Sequence, residues 1–381
     1  MKLSKFPYLV QKEILDEMEY KNLFLLSLVS RNMKKLIKTS QKKRFKSISH
    51  IKYECSRYDS NTLVVYIPFK DRVDFILECF DAENIAIGSG PFQLDVSGRL
   101  IDFRKVDSVG SLLPLVYGSS TRCLLFRIHG VHQSTIASSS PHKYEFVLES
   151  IHNYIMDLFG TSMEYDWKMY TNDKKLSIPQ LQNLSGCAII QYQNFVDWVE
   201  LELEEHFFSS SPVLKWIHMQ IGSLKEFSPD SKFYMTESID IFKIDGVLDL
   251  LRYFQGRQAF LNACRYESSD FIEFVKRWKS GNAFQKLEYF YCNDHCSYES
   301  MENEVLNAVA KYIDTTKKPP THTLPLVHVC IDNKPNTNPI TSYAYVVRET
   351  DGHVASILFQ ETMFRFGVWD KTEEEFLAMV E

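Results

Sequence analysis

The apolar residues near the start of the chain recur with the period of an amphipathic helix. Val10, Ile14 and Met18 are spaced four residues apart, so a helix places them on a single stripe. Pro7 precedes them, and proline suits the first turn of a helix because the amide that it lacks would have no partner there. We therefore predict a first helix that begins close to Pro7 and ends close to Met18.

Two more helices are predicted directly after the first. Residues 23–29 are apolar except for one serine, which is too apolar a segment to lie on an outer surface. Ser30 is a good N-cap residue, and the third helix that it begins turns Met33, Leu36 and Ile37 inward. Three short helices bury too little surface to be stable alone, so we expect them to offer an apolar face to a partner.

This N-terminal segment resembles the F-box. The F-box pattern begins with Leu-Pro, continues with an aliphatic pair and an Ile-Leu pair, and ends with Val-Cys-Lys-x-Trp-Arg. The matching positions are Phe6-Pro7, Leu9-Val10, Ile14-Leu15, Met18, Asn22-Leu23-Phe24 and Val29-Ser30-Arg31-Asn32-Met33-Lys34. Ser30 replaces the common Cys, and Met33 replaces the common Trp.

The resemblance implies that the helices dock on the Skp-type adaptor of a cullin-based (SCF-type) ubiquitin ligase. Apolar side chains would bury on the adaptor, and a charge placed among them would be costly. The residues that we expect to bind the adaptor are Phe6, Pro7, Leu9, Val10, Ile14, Leu15, Leu23 and Phe24.

The next segment, residues 47–120, has the pattern of a small β-rich connecting region. Residues 62–67 are rich in β-branched residues and are followed by Pro68. Apolar and polar residues alternate along residues 92–96. Ser97-Gly98 then gives a turn signal, and an apolar segment follows at 100–103, which predicts a hairpin. Residues 71–79 are predicted to form a short helix between these strands.

Strand-like apolar segments then recur through residues 121–316. Their spacing overlaps the ~20–29 residue period of leucine-rich repeats, and helical patterns lie in several of the gaps. We predict a leucine-rich-repeat-like α/β solenoid, with an ordinary compact α/β domain as the alternative. The segments are residues 124–128, 163–170, 187–192, 216–221, 238–244, 259–264 and 286–292.

The last part of the chain is predicted to hold a proline-rich loop at 317–340 and a β meander at 341–381. Asp351-Gly352 is a strong two-residue hairpin signal between two β-rich runs. The predicted fold is therefore a multidomain α+β and α/β chain. It has a three-helix F-box at 1–46, a β-rich region, an α/β leucine-rich-repeat-like solenoid and a small C-terminal β meander.

Two C-terminal patches resemble the F-box-associated (type 2) region of the nematode F-box B proteins. The first runs from Ser268 to Trp278 and on to Gly281-Asn282 and residues 286–289, and the second is residues 348–355 leading to Val368-Trp369. In that family the C-terminal region is thought to select the protein to be ubiquitinated. The resemblance implies the same role for residues 341–381 and the region before them.

The net charge of −6 is unevenly distributed. Residues 1–46 hold twelve Lys and Arg against four Asp and Glu, so the rest of the chain carries −14. An acidic body argues against extended nucleic-acid contact and favours a basic or neutral partner. The basic run at 31–46 is interpreted as the solvated face of the third helix and a linker, with a nuclear import signal or nucleic-acid patch as the alternative.

The cysteines and the hydropathy pattern indicate an intracellular protein of the cytoplasm, the nucleus or both. The eight cysteines are scattered singly and do not form a secreted disulfide framework. No apolar run approaches the ~20 residues that a membrane helix needs, and the N-terminus lacks the pattern of a signal peptide.

No pattern of residues points to an enzyme or to a cofactor. Cys292, His295 and Cys296, with His322, His328 and Cys330 downstream, are a weak zinc hypothesis because they lack two clean ligand pairs. No Ser- or Cys-centred catalytic signature and no phosphate loop is present. Aromatic residues of the strand segments are candidate anchors for a partner, since aromatics are enriched at binding hot spots: Trp216, Tyr289 and Tyr291.

The sequence therefore predicts a substrate-recruiting subunit of an SCF-type ubiquitin ligase that has no chemistry of its own. The alternative is a repeat-type interaction module whose F-box does not recruit a ligase, because Met33 replaces the common Trp. Both predict an unidentified protein partner for the C-terminal region.

Overall fold

A computed structural model describes most of the chain as two compact units. The described residues are 3–55, 62–69, 72–82, 91–106, 123–127, 134–138, 144–171, 178–191, 205–221, 227–242, 251–262, 266–293, 299–328 and 334–381. Unit 1 comprises residues 1–170 and 179–184, and unit 2 comprises residues 171–178 and 185–381.

Unit 1 begins with the predicted helices. After a 3-10 turn at Leu3–Lys5 come α1 (Tyr8–Asp16), α2 (Tyr20–Val29), α3 (Arg31–Ser40) and the single-turn α4 (Lys42–Phe45). The predicted N-cap of the third helix is confirmed, because the Ser30 hydroxyl accepts a 3.1 Å hydrogen bond from the Met33 amide. This bond satisfies one of the amides that the first turn leaves without a helical partner.

The strands of unit 1 form a mixed sheet. β1 pairs antiparallel with β2 and parallel with β8, β3 lies between β2 and β6, and β7 pairs with β5 and β6. The predicted 92–103 hairpin is confirmed as β4 and β5. The strands are β1 (His50–Cys55), β2 (Thr62–Pro68), β3 (Val73–Ala82), β4 (Pro91–Val96), β5 (Arg99–Val106), β6 (Cys123–Arg127), β7 (Ser134–Ser138) and β8 (Glu164–Thr171).

The predicted helix at 71–79 is wrong, because residues 73–79 belong to β3, while residue 71 lies outside the described residues. Its backbone pairs with β2 along seven residues, from Thr62↔Phe80 to Pro68↔Val73. Strand propensity depends on the neighbouring strand that a segment can join, and that neighbour lies elsewhere in the sequence. Local pattern alone therefore misassigned these residues.

The core of unit 1 lies between the N-terminal helices, helix α5 (Tyr144–Phe159) and the sheet. Phe45 meets the Phe159 ring edge-on, with ring centroids 5.0 Å apart, and Tyr20 packs on Phe159 at 5.9 Å. Tyr53 of β1 is fully buried, and its hydroxyl lies 2.9 Å from His152 Nδ1. Helix α5 thus confirms one of the helical patterns that the sequence places between strand segments.

Unit 2 contains five parallel strands that pair in chain order. Each pairs in register with the next, from Gly186↔Trp216 through Trp216↔Ser238 and Ser238↔Gln258 to Gln258↔Tyr289. The strand segments predicted for this region are confirmed where the structure describes them, with residues 192, 243–244 and 263–264 outside the described residues. The solenoid itself stays a prediction. The strands are β9 (Leu184–Gln191), β10 (Trp216–Gln220), β11 (Ser238–Phe242), β12 (Gln258–Asn262) and β13 (Tyr289–Asn293).

Helical segments lie between these strands and after the last of them. Among them are α6 (Glu205–Ser210), a 3-10 turn at Lys232–Met235, α7 (Ser268–Lys279) and, after β13, α8 (Glu299–Val309). Helix α7 begins with a capping box, in which Glu267 is the N-cap and Asp270 the N3 residue. Gly281 follows α7 with φ +71°, the left-handed conformation that favours glycine.

The predicted C-terminal meander is confirmed. β19 pairs antiparallel with β13 and with β18, and β18 pairs with β17 across the Asp351-Gly352 turn. Within the proline-rich segment, β15 and β16 form a two-residue ladder. The elements are β14 (Lys311–Tyr312), β15 (Thr321–His322), β16 (Ile340–Thr341), β17 (Ala344–Val347), β18 (His353–Gln360), β19 (Met363–Thr372) and α9 (Glu373–Leu377).

Candidate functional site

The first turn of α1 exposes three consecutive apolar side chains. Tyr8 is 51% exposed, Leu9 is 71% exposed and Val10 is 41% exposed, and Pro7 before them is also exposed. Val29, at the end of α2, is exposed as well. Single exposed apolar residues are ordinary on a protein surface, but a run of them indicates an interaction site.

The opposite face of these helices is buried within unit 1. Leu15 and Leu23 are fully buried, and Phe24 is 5% exposed. The Phe24 ring meets Tyr154 of α5 edge-on at 5.9 Å, and the Ser27 hydroxyl lies 3.0 Å from the Tyr154 hydroxyl. The helices are thus held on their own unit by one face and present the other to solvent.

Charged groups fasten α3 to α5. Lys34 Nζ lies 2.7 Å from Asp157 Oδ2, and Lys38 Nζ lies 2.5 Å from Asp157 Oδ1. Burial alone would raise the pKa of Asp157, but the hydrogen bonds from the two lysines outweigh it, so this pKa lies below its ordinary value. Lys34 also lies over the Tyr154 ring, 3.4 Å from its centroid. Part of the basic run is therefore occupied by contacts within unit 1.

A second polar group joins the end of α1 to α4. Asp16 Oδ2 accepts a 2.6 Å hydrogen bond from Lys12 Nζ, and Asp16 Oδ1 accepts one of the same length from Gln41 Nε2. The bond from Lys12 is the main cause that lowers the pKa of Asp16. Arg44 donates to the Met18 carbonyl at 2.6 Å. These bonds fix the direction of α1 and hence the position of its exposed first turn.

The structure divides the predicted adaptor-binding residues between two environments. Pro7, Leu9 and Val10 are exposed, and Phe6 and Ile14 are half-buried. The other three belong to the core of unit 1, where they stabilise the helices: Leu15, Leu23 and Phe24.

Sequence reasoning did not select two exposed apolar residues, Tyr8 and Val29. Tyr8 lies between the two matched pairs of the pattern, and the exposure of Val29 follows from its place as the last residue of α2. The signal that could have found Tyr8 is its position in the first helical turn, where little of the helix's own surface covers a side chain.

The aromatic candidates of unit 2 differ in their surroundings. Trp216 is buried, with its ring stacked parallel to the His328 ring. Tyr289 is fully buried and donates a 3.0 Å hydrogen bond to the Asn338 carbonyl, and burial raises its pKa. Tyr291 is half-buried and borders a cavity. Of the three, only Tyr291 is placed to meet a ligand.

The zinc hypothesis gains no support from the described residues. His295, Cys296 and Cys330 lie outside them. Burial lowers the pKa of His322, whose Nε2 donates a 2.9 Å hydrogen bond to the Val368 carbonyl. Within the described parts of the chain, no three His, Cys, Asp or Glu side chains are grouped as metal ligands would be.

The two C-terminal patches pack against each other in unit 2. The Arg348 guanidinium lies over the Trp278 ring, 5.1 Å from its centroid, and binds Asp351 Oδ2 at 2.6 Å. The Glu349 amide donates a 2.8 Å hydrogen bond to the Lys279 carbonyl. Arg348 is only 5% exposed, so its charge is compensated inside this cluster. The carboxylate–guanidinium bond is the main cause that lowers the pKa of Asp351.

None of the described helices has the length and apolar character that a membrane span requires.

Comparison with known proteins gives one match. A model of the F-box domain matches residues 3–45, the segment that holds the exposed turn of α1 and the buried faces of α2 and α3. Neither a curated protein nor a solved structure matches the chain. An F-box domain suggests an adaptor of an SCF-type ubiquitin ligase and implies binding to a Skp-type adaptor. The match covers the N-terminal helices, and this F-box domain supports an F-box protein.

Proposed function

We propose that this protein is a substrate-recruiting subunit of an SCF-type ubiquitin ligase. In this proposal Pro7, Tyr8, Leu9 and Val10 dock on the Skp-type adaptor, and Phe6 and Ile14 border the interface. Unit 2 carries the surface that binds the protein substrate. The observation that carries the proposal is the run of exposed apolar side chains in a segment that matches the F-box domain.

The division between buried and exposed residues supports this assignment. A side chain that is already buried in its own unit gains nothing from docking, whereas an exposed one is removed from water. Fully burying a leucine contributes about 1.5–3 kcal/mol, and Leu9 retains 71% of its exposure. Tyr8, Leu9 and Val10 therefore supply the apolar area for an interface without unfolding the helices.

In this role the protein positions the substrate and catalyses no step itself. It holds a substrate lysine close to the conjugating enzyme that the cullin recruits, so that effective concentration raises the rate of transfer. No cofactor is required of this chain. Its place of action would be the cytoplasm, the nucleus or both.

We further propose that the chain is of the nematode F-box B type, with an F-box-associated region at its C-terminus. Support comes from Arg348 and Trp278, which belong to the two separate patches of the resemblance and pack together. The chain-order parallel pairing of β9 to β13 supports the leucine-rich-repeat-like part of the proposal. The proposed division stays at 1–46, 47–120, 121–316, 317–340 and 341–381.

Affinity purification from cells tests the proposal. The full chain, Leu9→Asp and Leu377→Asp are expressed with the same tag, and the captured proteins are identified by mass spectrometry. Leu377 is an exposed leucine of α9, 41% exposed, so its substitution is a matched control. We expect adaptor and cullin peptides with the wild type and Leu377→Asp but not with Leu9→Asp. Their absence from the wild-type sample would refute the proposal.

The alternative is an interaction module whose F-box recruits no ligase. The observation that favours it is Met33, which stands half-buried in the first turn of α3 in place of the common Trp. This alternative predicts the same captured partners for the wild type and Leu9→Asp, without adaptor or cullin. The same purification therefore separates the two functions.

A further inference from the structure

The face of the parallel sheet in unit 2 holds a cavity of about 260 Å³. Side chains alternate between the two faces of a strand, so residues two apart on one strand share a face. His218 of β10 is in register with Asp240 of β11, and Asp240 with Phe260 of β12. Phe260 is in turn in register with Tyr291 of β13. All four residues line the cavity.

A carboxylate lies at the floor of this cavity. Asp240 Oδ2 lies 3.0 Å from His218 Nδ1, and Asp240 Oδ1 is 3.4 Å from Asn262 Nδ2. The Asp240 side chain is 19% exposed. Among the described residues these are the two polar neighbours of Asp240, and a carboxylate has about four acceptor positions on its two oxygens.

Aromatic rings border the same carboxylate. Phe242 follows Asp240 two residues on, is 38% exposed, and lies 6.3 Å from the His218 ring. The rings of Phe260 and Tyr291 are 6.4 Å apart. Ring faces attract a cation within about 6 Å of the centroid, and a carboxylate among aromatic rings is the usual environment that proteins offer to an ammonium or guanidinium group.

The other side of the cavity is lined by described residues of the proline-rich segment, which form hydrogen bonds with side chains of the sheet. Gln258 donates a 2.9 Å hydrogen bond to the Pro325 carbonyl and accepts one of 3.0 Å from the Val327 amide. Arg365 donates to the Pro339 carbonyl at 3.3 Å. Between these attachments, Asn336 and Asn338 add amide groups to the lining. The cavity thus has the sheet on one side and described residues of the proline-rich segment on the other.

We propose that this cavity binds a lysine or arginine side chain of the partner protein, with Asp240 as counter-ion and Phe242, Phe260 and Tyr291 around the cation. Its volume lies below the ~300–1,000 Å³ of sites for drug-sized ligands, which suits one side chain. That the partner is a ligase substrate rests on the proposed function, whereas binding of the cation does not.

The charge of the chain agrees with this ligand. The residues after the F-box carry −14, and such a field favours approach of a basic partner. Asp240 is the single carboxylate among the described residues that line the cavity. Lys334 lies at the exposed rim, where water and salt screen its charge more strongly than that of the partly buried Asp240.

A displayed library of random dodecapeptides tests the proposal on the purified full chain. We expect the selected peptides to share a lysine or arginine, and a synthetic copy with norleucine at that position to bind at least tenfold more weakly. Asp240→Asn, which keeps the shape and the hydrogen bond with His218, should also weaken binding at least tenfold. Asp230→Asn, at an exposed aspartate of unit 2 outside the cavity, should change it less than twofold.

A second variant and three contrary outcomes keep the test decisive. Phe242→Leu keeps an apolar side chain but removes the ring, and should weaken binding several-fold. Selection of acidic peptides that depend on Lys334, selection of no peptide, or equal binding by Asp240→Asn and the wild type would overturn the proposal. Leu9→Asp should bind the selected peptide like the wild type, so failure of ligase recruitment and failure of the cavity are distinguishable.

Discussion

Replacement of Leu9 by aspartate should abolish adaptor binding while leaving the fold intact. Complete burial of a leucine contributes about 1.5–3 kcal/mol, and the 71% of Leu9 that is exposed makes roughly 1–2 kcal/mol of that available for docking. A carboxylate at a buried interface adds a desolvation penalty of several kcal/mol. The loss should thus exceed about 3 kcal/mol, which corresponds to a dissociation constant on the order of 100-fold higher.

Isothermal titration of the purified chain with a purified Skp-type adaptor measures this loss directly. Urea unfolding of the same samples should show a change within about 0.5 kcal/mol, the usual range for a surface substitution. Leu377→Asp should bind the adaptor like the wild type. A dissociation constant for Leu9→Asp within threefold of the wild-type value would show that the first turn of α1 is not the docking surface.

Phe24 provides the opposite case, because it lies inside unit 1. Phe24→Ala removes a buried ring that packs on Tyr154, and such truncations typically cost about 3–5 kcal/mol of unfolding free energy. Urea unfolding followed by fluorescence checks this value. A cost below about 1 kcal/mol together with weaker adaptor binding would mean that Phe24 belongs to the interface and not to the core.

Two further predictions concern unit 2. Gly281→Ala should destabilise it by about 2–4 kcal/mol, because the left-handed conformation costs about 1–2 kcal/mol and the new methyl group would lie 2.3 Å from Thr350 Cγ2. Gly352→Ala has φ +74° but open space around it, so it should cost only the conformational part, and equal losses in urea unfolding would refute the role of Thr350. Asp351→Asn should cost about 1 kcal/mol at pH 7, since the charge-assisted bond to Arg348 is partly solvent-screened. Because the folded pKa of Asp351 is lowered, this contribution is complete above the unfolded pKa of about 3.9 and is lost as the pH falls through the folded pKa. The difference between wild type and variant should therefore close in urea unfolding below about pH 4, and a constant difference would contradict the assignment.

Periodicity in the sequence was enough to place the N-terminal helices but not to orient them. The pattern separates apolar from polar positions, and it cannot separate an apolar residue that faces its own core from one that faces a partner. Leu23 and Leu9 are equivalent in the F-box pattern, yet one is fully buried and the other is 71% exposed. The helix that carries Leu23 packs on α5, where Tyr154 meets Phe24, and Tyr154 lies more than a hundred residues away in the sequence.

Long-range pairing also explains the remaining differences. Residues 73–82 form a strand because their backbone pairs with β2 on one side and with β6 on the other. The sequence of this segment alone does not show that these two partners are present. Part of the lining of the cavity in unit 2 is visible in the sequence pattern. His218 and Asp240 are polar residues within apolar strand segments, and such residues at corresponding places of successive strands meet when the strands pair in chain order.

Reconstitution of the complex tests the central claim most directly. The purified full chain is mixed with a purified Skp-type adaptor and a cullin N-terminal domain, and light scattering after size exclusion gives the mass of the product. We predict a single species that contains one copy of each protein, and no such species with Leu9→Asp. Separate elution of the wild-type chain at micromolar concentrations of all three proteins would contradict the account.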